Sequence, residues 1–482
     1  MENVTEDIQQ LFTTARGHAA DSIRKLPPSG SDRIYFRVRS GEESFIATYG
    51  RNIRENRTFL YFTEHFERCG CPVPRILAVN TESTLYLQED LGDVSLLNKL
   101  DELGRTDEVF LLFQQSLKAL AHLQLSGDRE LDYSRCITSR EFGKGAIMAD
   151  LLYFKYYFLD TLQLPYDKER LIEEFESLSQ ALANTGHRYF MFRDFQSRNI
   201  MIREDGVHFI DYQGGMKGAL QYDVASLLWQ ARAELPDTWK NTLLEYYIDC
   251  VEAELSTVID RRRFTEQYNG YVLVRLLQVL GAYGFRGLFE RKAHFLISIP
   301  LALDNLKKFL TGNAADPALK EFNRLLQLLV SDEVMDRFKQ VRATEETPLV
   351  VRISSFSYKK GIPTDSSGNG GGFVFDCRGI LNPGRMEEYK RLTGRDPAVK
   401  DFLEQRTRMT DFMNSVYSLV DIAVEDYIKR DFHNLQVSFG CTGGQHRSVF
   451  AADSLARHLK NKFGVKVEIV HVEQESKNWI NN

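Results

Sequence analysis

The sequence predicts an α+β architecture in two lobes, followed by a separate α/β domain. Three observations carry this reading. From Ile34 to Leu87, short β-branched and aromatic runs alternate with turn residues, the mark of a small mixed sheet, and one helical run at 55–68 interrupts them. After Leu87-Gln88-Glu89-Asp90-Leu91-Gly92 the text becomes helical through Leu182, and Asp107 to Leu125 shows the helical apolar period. From Leu349 onward strands alternate with helices, which argues a layered domain around its own sheet.

The bulk properties set bounds on function. The chain has 482 residues, 43% hydrophobic and 27% charged, ample for more than one core. A formal charge of -6 and a pI near 6.0 offer no reason to expect a nucleic-acid or membrane partner. Six cysteines in so long a chain do not form a disulfide framework. Cys69-Gly70-Cys71 lacks a second pair or a nearby histidine at ligand spacing, so no zinc is expected there. The acidic N-terminus is no secretory signal, and the apolar run Tyr271–Phe285, interrupted by Arg275, is too short to span a bilayer. A cytoplasmic protein is expected.

In chain order, residues 4–26 read as an amphipathic helix with Ile8, Leu11, Phe12, Ala15 and Ile23 on one side, ended by Pro27-Pro28. Ser29-Gly30-Ser31-Asp32 is then a turn, and two strands flank Ser40-Gly41-Glu42-Glu43. A small-residue turn of this kind can lay backbone N–H groups over phosphates, although most such turns are only turns. Arg75–Val79 and Thr84–Leu87 complete the sheet. The connector Glu89 to Leu91 could hold an adenine ring by its backbone, or simply link two lobes. Asp223, at the start of an apolar helix, is either an N-cap or a brace for the loop upstream.

The chemistry is concentrated between Phe192 and Asp211, F-R-D-F-Q-S-R-N-I-M-I-R-E-D-G-V-H-F-I-D. Asp194 stands five residues before Asn199, which opens an apolar strand; Glu204-Asp205-Gly206 turns the chain, and a second strand delivers Asp211. Phosphoryl transfer to a hydroxyl needs this set. One carboxylate takes the hydroxyl proton, while an amide oxygen and a second carboxylate hold Mg2+ against nucleotide phosphates. Asp194 is the candidate general base and Asn199 and Asp211 the candidate metal ligands. Arg198 and Gln213, beside them, are candidates for substrate or phosphate contact.

These residues carry a resemblance. F-R-D-F-Q-S-R-N-I (192–200), I-D-Y-Q-G (210–214), Y-D-V-A-S-L-L (222–228), L-Q-E-D-L-G-D (87–93) and V-L-G-A-Y-G-F (279–285) resemble the aminoglycoside phosphotransferase/choline kinase superfamily, and within it the anomeric kinases of N-acetylmuramate and N-acetylglucosamine. The resemblance implies a two-lobed protein-kinase-like fold, ATP and Mg2+ as cofactors, and phosphorylation of a sugar's anomeric hydroxyl in cell-wall recycling. It implies nucleotide contacts at Ser29, Gly30, Ser31, Arg33, Glu89 and Leu91. The superfamily's phosphate-pairing lysine falls within Phe45–Tyr49, where this chain has none; Arg33 or Arg37 are the cations at hand.

The second module centres on F-G-C-T-G-G-Q-H-R-S (439–448), a strand running into a glycine-rich turn and a helix N-terminus. Such a turn gathers free N–H groups, and Arg447 can clamp an oxyanion bidentately. The spacing Cys441-x5-Arg447 also fits the loop of cysteine-dependent phosphatases, but Gly440 stands where a histidine is customary and no general-acid loop is recognisable. S-F-S-Y-K-K-G-I-P (355–363), D-C-R-G-I-L-N-P (376–383), L-T-G-R-D (392–396) and G-C-T-G-G-Q-H-R-S-V (440–449) resemble the C-terminal domain of the RNase adapter protein RapZ. That resemblance implies an amino-sugar phosphate held by Thr442, Gly443, Gly444, Gln445, His446 and Arg447, with Lys359 and Arg378 as helpers. The family's basic RNA-binding tail has no counterpart, so RNA is not expected as a partner.

The expected organisation is residues 1–91 as the sheet lobe, 92–312 as the helical lobe, 313–347 as a helical linker and 348–482 as the α/β domain. The leading expectation is a sugar kinase fused to a sugar-phosphate sensor. The alternative is a regulatory protein with a degenerate kinase lobe. Acceptor sugar and oligomeric state stay open.

Overall fold

The computed structural model describes residues 2–27, 33–290, 293–296, 298–313, 316–339, 341–365, 367–368 and 371–475. It divides into two compact units, one of residues 1–282 with 301–330, the other of 283–300 with 331–482.

The first unit begins with the helix Glu2–Arg16, shorter than the 4–26 span read from the sequence. Gly17 takes φ +80, a left-handed conformation that ends the helix at little cost, and its amide closes on Thr13 O at 2.8 Å. Ser22–Lys25 becomes β1 because it can pair with an open strand edge, Ile23 opposite Val38. β2 (Ile34–Ser40), β3 (Glu43–Tyr49), β4 (Ile76–Val79) and β5 (Leu85–Glu89) complete an antiparallel sheet in the order β1-β2-β3-β5-β4. Ile8 and Phe12 of the first helix pack on Phe36, Val38, Phe45, Ala47, Leu85 and Leu87. The helix Ile53–Arg68 is capped by Asn52, whose side chain accepts from the Glu55 amide. It stacks Phe59 between Tyr86 and Tyr212, with ring centroids 5.4 and 5.1 Å apart.

In the helical lobe, β6 (Arg188–Met191) pairs with β9 (Met216–Ala219), and β7 (Ile200–Arg203) with β8 (Gly206–Phe209). The first pair draws together the two ends of the segment carrying Asp194 and Asp211; the hairpin folds its middle back. Gly215 and Gly218 permit this, since a Cβ there would lie 2.3 Å from Phe190 Cζ and 2.6 Å from Met191 Sδ. The helix running from Arg261 to Phe289 is, at 29 residues, long and apolar enough to cross a membrane on length and composition, contrary to the shorter span read from sequence. Tyr271, Val272, Leu276, Leu277 and Leu280 are nevertheless buried among the lobe's other helices, as in a core helix. Helix Lys320–Leu329, expected in a linker, packs its apolar stripe into this unit, and Glu174 accepts the Glu321 and Phe322 amides at 3.0 and 2.6 Å.

The second unit is an open parallel sheet in the order β11-β12-β10-β13, from β10 (Val350–Ser357), β11 (Phe373–Asp376), β12 (Asn434–Cys441) and β13 (Lys466–His471). Helices Met409–Lys429 and Arg447–Phe463 cover it, burying Val351, Ile353, Val437, Phe439, Leu455 and Leu459. In such sheets ligands collect at the carboxyl ends of the strands, where β12 delivers Cys441.

Candidate functional site

The loop before the first carboxylate is held rigidly. Arg193 has φ +82, a strained value for an arginine, kept by four bonds. Its guanidinium reaches Asp150 at 2.6 and 2.8 Å and the Tyr222 hydroxyl at 2.8 Å. Its amide and that of Phe192 donate to the two oxygens of Asp223 at 2.9 and 2.7 Å, and Gln124 Nε2 adds a third bond at 2.9 Å. Asp223 lies inside helix Leu220–Leu228, whose N-cap is Ala219, so of the two roles open to it the brace is the one found. Burial pushes its carboxyl up to about 7, against the pull of the Phe192 and Arg193 amides. Phe192, where protein kinases place histidine, is fully buried edge-to-face against Phe195, 5.2 Å away.

Asp194 follows with 48% of its side chain exposed. One oxygen accepts from Arg275 Nη2 at 3.3 Å, and Gln278 steadies that guanidinium at 2.7 Å. Burial works against the Arg275 charge, yet Tyr222 and Asp194 hold it above the ordinary arginine value. Asn199 Nδ2 donates to the Asp194 carbonyl at 2.9 Å, which leaves the amide oxygen as the atom available to a cation. Asn199 O receives the Ile210 amide at 3.1 Å, so the residue before Asp211 is tied directly to the other candidate ligand. Asp211 has φ +72, and its Oδ1 accepts from Gln213 Nε2 at 2.8 Å.

Gln213 does not present its amide nitrogen to a substrate: it bridges Asp211 to Glu55 Oε1, 3.4 Å away, and is buried. Glu55 is in turn ion-paired with Arg33. A chain Arg33–Glu55–Gln213–Asp211 thus runs from the start of β2, through the helix, to the candidate metal-ligand carboxylate. Of the two cations at hand Arg33 is the one facing this centre. Arg37 is engaged by Asp90 at 2.7 Å and Asp93 at 2.8 Å. β3 carries buried Thr48 and no lysine.

The remaining expected nucleotide contacts are mixed. Ser29, Gly30 and Ser31 lie outside the described residues. Glu89 ends β5 with its amide on Arg75 O at 2.9 Å and its carboxylate on Arg203 at 2.6 Å, both structural bonds, and Leu91 is buried. Arg198 is exposed on the 3-10 turn Ser197–Asn199. Two hard oxygen donors, Asn199 Oδ1 and the Asp211 carboxylate, fit Mg2+ completed by phosphate oxygens and water. Among the described residues no three His, Cys, Asp or Glu side chains gather into a self-sufficient metal cage.

In the second unit the six loop residues divide into two groups. Gln445 Nε2 donates to the carbonyls of Lys390 and Leu392 at 2.9 and 2.8 Å, and His446 Nε2 meets Tyr389 O at 2.9 Å. These two side chains, expected on a ligand, instead anchor the loop to the 389–392 backbone. Thr442 and Gly443 are exposed at the mouth, and Gly444 takes φ +64 where a Cβ would lie 2.3 Å from Glu473 Cγ. Arg447, 4% exposed, gives Nη1 to the carbonyls of Arg378 and Ile380 at 3.1 and 2.7 Å. Arg378, the expected helper, pairs with Asp376 at 2.6 Å and lies 3.9 Å from the Tyr358 ring centre.

The sequence reading missed Arg275 and Glu55, and the pairing of Asp150 with Arg193. Only Arg275 left a signal, as a lone cation in an apolar helix.

Comparison with known proteins agrees with this division. A family model described as the phosphotransferase enzyme family matches residues 22–263, and one described as the RapZ C-terminal domain matches residues 349–475. A nucleotide-binding protein of Fervidobacterium nodosum is 32% identical over 198 residues, covering 39% of this chain and 67% of that protein. Nucleotide-binding proteins of Solibacter usitatus (35% over 130 residues) and Limosilactobacillus reuteri (40% over 131) are each matched over 27% of this chain. The chain spans only 38% and 43% of their lengths. Among solved structures, choline kinase LicA from Streptococcus pneumoniae aligns at TM-score 0.43 with 14% identity, over 64% of this chain and 99% of its own. A choline/ethanolamine kinase family protein from Mesorhizobium loti aligns at 0.45 with 11% identity, over 67% and 99%.

Proposed function

We propose, for a chain that belongs to the phosphotransferase enzyme family through residues 22–263 and carries a RapZ C-terminal domain at 349–475, an ATP- and Mg2+-dependent kinase of an amino-sugar hydroxyl. The acceptor would be the anomeric hydroxyl of N-acetylmuramate or N-acetylglucosamine, in cytoplasmic cell-wall recycling. One observation supports the reading: the Asn199 side-chain amide donates to the Asp194 backbone carbonyl at 2.9 Å, and the Asn199 carbonyl accepts the amide of the residue preceding Asp211 at 3.1 Å, so these bonds tie together the segments that carry the candidate base and the two candidate oxygen ligands. Asn199 and Asp211 would hold Mg2+, whose charge would offset that developing on the nucleotide phosphates. The chain's own residues do the rest. Asp194, with Arg275 on one oxygen, offers the other to the sugar hydroxyl and takes its proton as the oxygen attacks the terminal phosphorus. Gln213 and Glu55 orient Asp211, and Arg33 supplies the cation that a strand lysine supplies elsewhere. The phosphate-binding turn of the second unit would sense a product-like amino-sugar phosphate.

The lysine-free β3 favours a second reading, a regulatory adapter with a silent kinase lobe, and the relatives named nucleotide-binding proteins suit it. ATP consumption over N-acetylmuramate, N-acetylglucosamine, choline and an aminoglycoside, with and without Asp194→Asn, separates them. The kinase reading expects turnover of an amino sugar that falls by about 10²–10⁴ in the variant. Nucleotide binding without turnover of any acceptor would overturn it in favour of the adapter.

A further inference from the structure

We propose that the loop Cys441–Ser448 is a cysteine-dependent phosphoryl-transfer centre, acting on phosphomonoesters whose leaving group departs as a stable anion. This rests on the anion-binding reading of the same loop and adds chemistry to it.

The strand β12 ends at Cys441 and the helix starts at Arg447, so the loop wraps the thiol between them. Sγ receives the Gly444 amide at 3.2 Å and lies 3.2 Å from the Ser448 hydroxyl. Burial alone would push the thiol up, yet the Ser448 hydroxyl and amide, the Arg447 charge and the Gly443 amide bring it below its ordinary value. Cys377, one position beyond the residue paired with Gly440, is just as buried and is pushed up instead. The difference is the loop, which is built around a negative sulfur.

Arg447 completes the arrangement. Its Nη1 is fixed to two backbone carbonyls, while the opposite edge, Nε with Nη2, turns to the loop, Nη2 lying 3.4 Å from Thr442 Oγ1. Nε is buried and has no hydrogen-bond partner among the described residues. A guanidinium held by one corner, with a buried donor on its free edge, suits a tetrahedral oxyanion seated above the thiolate. Glu473, which packs on Gly444, has its charge offset by Lys360 at 2.9 Å.

The sequence lacks a recognisable general-acid loop, and the structure explains what that costs. Asp376, at the end of the neighbouring strand β11, is held below its ordinary range first by its bond to Arg378 and stays an anion. Asp376 then offers no proton to the departing oxygen. An alkyl phosphate such as a sugar 6-phosphate is bound and not cleaved; an aryl or acyl phosphate is cleaved. The Cys441 thiolate attacks phosphorus, the S–P bond forms and the P–O bond breaks, its electron pair leaving with the aryloxide or carboxylate. Water then attacks phosphorus, the P–S bond breaks to return the thiolate, and the proton of the water passes to solvent. Ser448 stabilises the sulfur as it leaves.

The test uses the full chain carrying Asp194→Asn, which silences the kinase centre. Hydrolysis of p-nitrophenyl phosphate, trapping of label on Cys441 by rapid acid quench, and calorimetric binding of inorganic phosphate are measured together. Expected are vanadate-sensitive turnover, label on Cys441, loss of both in Cys441→Ser with phosphate binding kept, and a slowing of about tenfold or more in Ser448→Ala, the scale of one hydrogen bond to a charged group. Phosphate binding with no turnover overturns the cysteine chemistry and leaves the anion site standing. Turnover that survives Cys441→Ser overturns it too, and absence of phosphate binding overturns both readings.

Discussion

Replacing Arg275 by methionine removes the guanidinium that, among the described residues, contacts Asp194, while keeping volume in the buried helix. At 3.3 Å two unit charges interact by ~5 kcal/mol at an effective dielectric near 20. Asp194 keeps 48% of its side chain exposed, so solvent cuts this to about 1–2 kcal/mol. The consequence is mainly orientational: without Arg275, the carboxylate rotates freely and its second oxygen no longer points steadily at the acceptor. Arg275→Met should therefore lower kcat by about 5–30-fold, the equivalent of about 1–2 kcal/mol. The KM for ATP should change little, since the bonds of Arg275 go to Tyr222, Gln278 and Asp194 and not to the candidate metal ligands Asn199 and Asp211. Steady-state kinetics in both substrates, with a melting curve as control, read this split. Arg275→Lys should restore part of kcat. An unchanged kcat in Arg275→Met, or a kcat loss matched by an equal rise in the KM for ATP, would refute the positioning role.

Three further outcomes follow from the same geometry. Arg33→Met leaves the half-buried Glu55 without its ion-pair partner, though Gln213 and Asn52 still donate to it, which should lower stability by about 1–3 kcal/mol and raise the KM for ATP; the double variant with Glu55→Gln should recover stability and not activity, and a single variant melting like the parent would refute the pairing. Glu174→Gln removes the carboxylate that receives two helix amides and should cost about 1–3 kcal/mol by urea unfolding; no loss would show that the Lys320–Leu329 helix docks without it. The third concerns pH. Asp223 titrates near 7 folded and at the ordinary carboxylate value unfolded, so the folded state binds the extra proton in between. Its contribution to stability is fully present below the unfolded value and is lost as pH rises through about 7. The stability difference between the parent and Asp223→Asn should therefore shrink from pH 5 to 7.5, by up to ~1.4 kcal/mol per pH unit, and a constant difference would refute the shift.

Much of the candidate site was legible because it is local. Asp194, Asn199 and Asp211 lie within one hairpin-bearing segment, and Cys441 to Ser448 is a single strand–loop–helix turn, so spacing alone nominates them. Where the sequence misleads, a distant partner decides. Ile23 has the right helical spacing, but an open edge of β2 claims it for a strand. Gln445 and His446 belong to a ligand-binding motif, but the carbonyls at 389–392 take their side chains.

Composition, period and motif spacing by themselves determined two lobes, a separate α/β domain, and which residues are candidates for the chemistry, because hydrophobic patterning and short-range turns are properties of neighbouring residues. Only the tertiary structure decided which of the two candidate cations joins the chain leading to Asp211, what contacts Asp194, and which loop side chains are taken up by the backbone at 389–392. Those are contacts between residues 22 to 158 positions apart, Arg33 with Glu55, Gln213 with Glu55 and Arg275 with Asp194. No local pattern encodes them; packing of the buried helices brings them together.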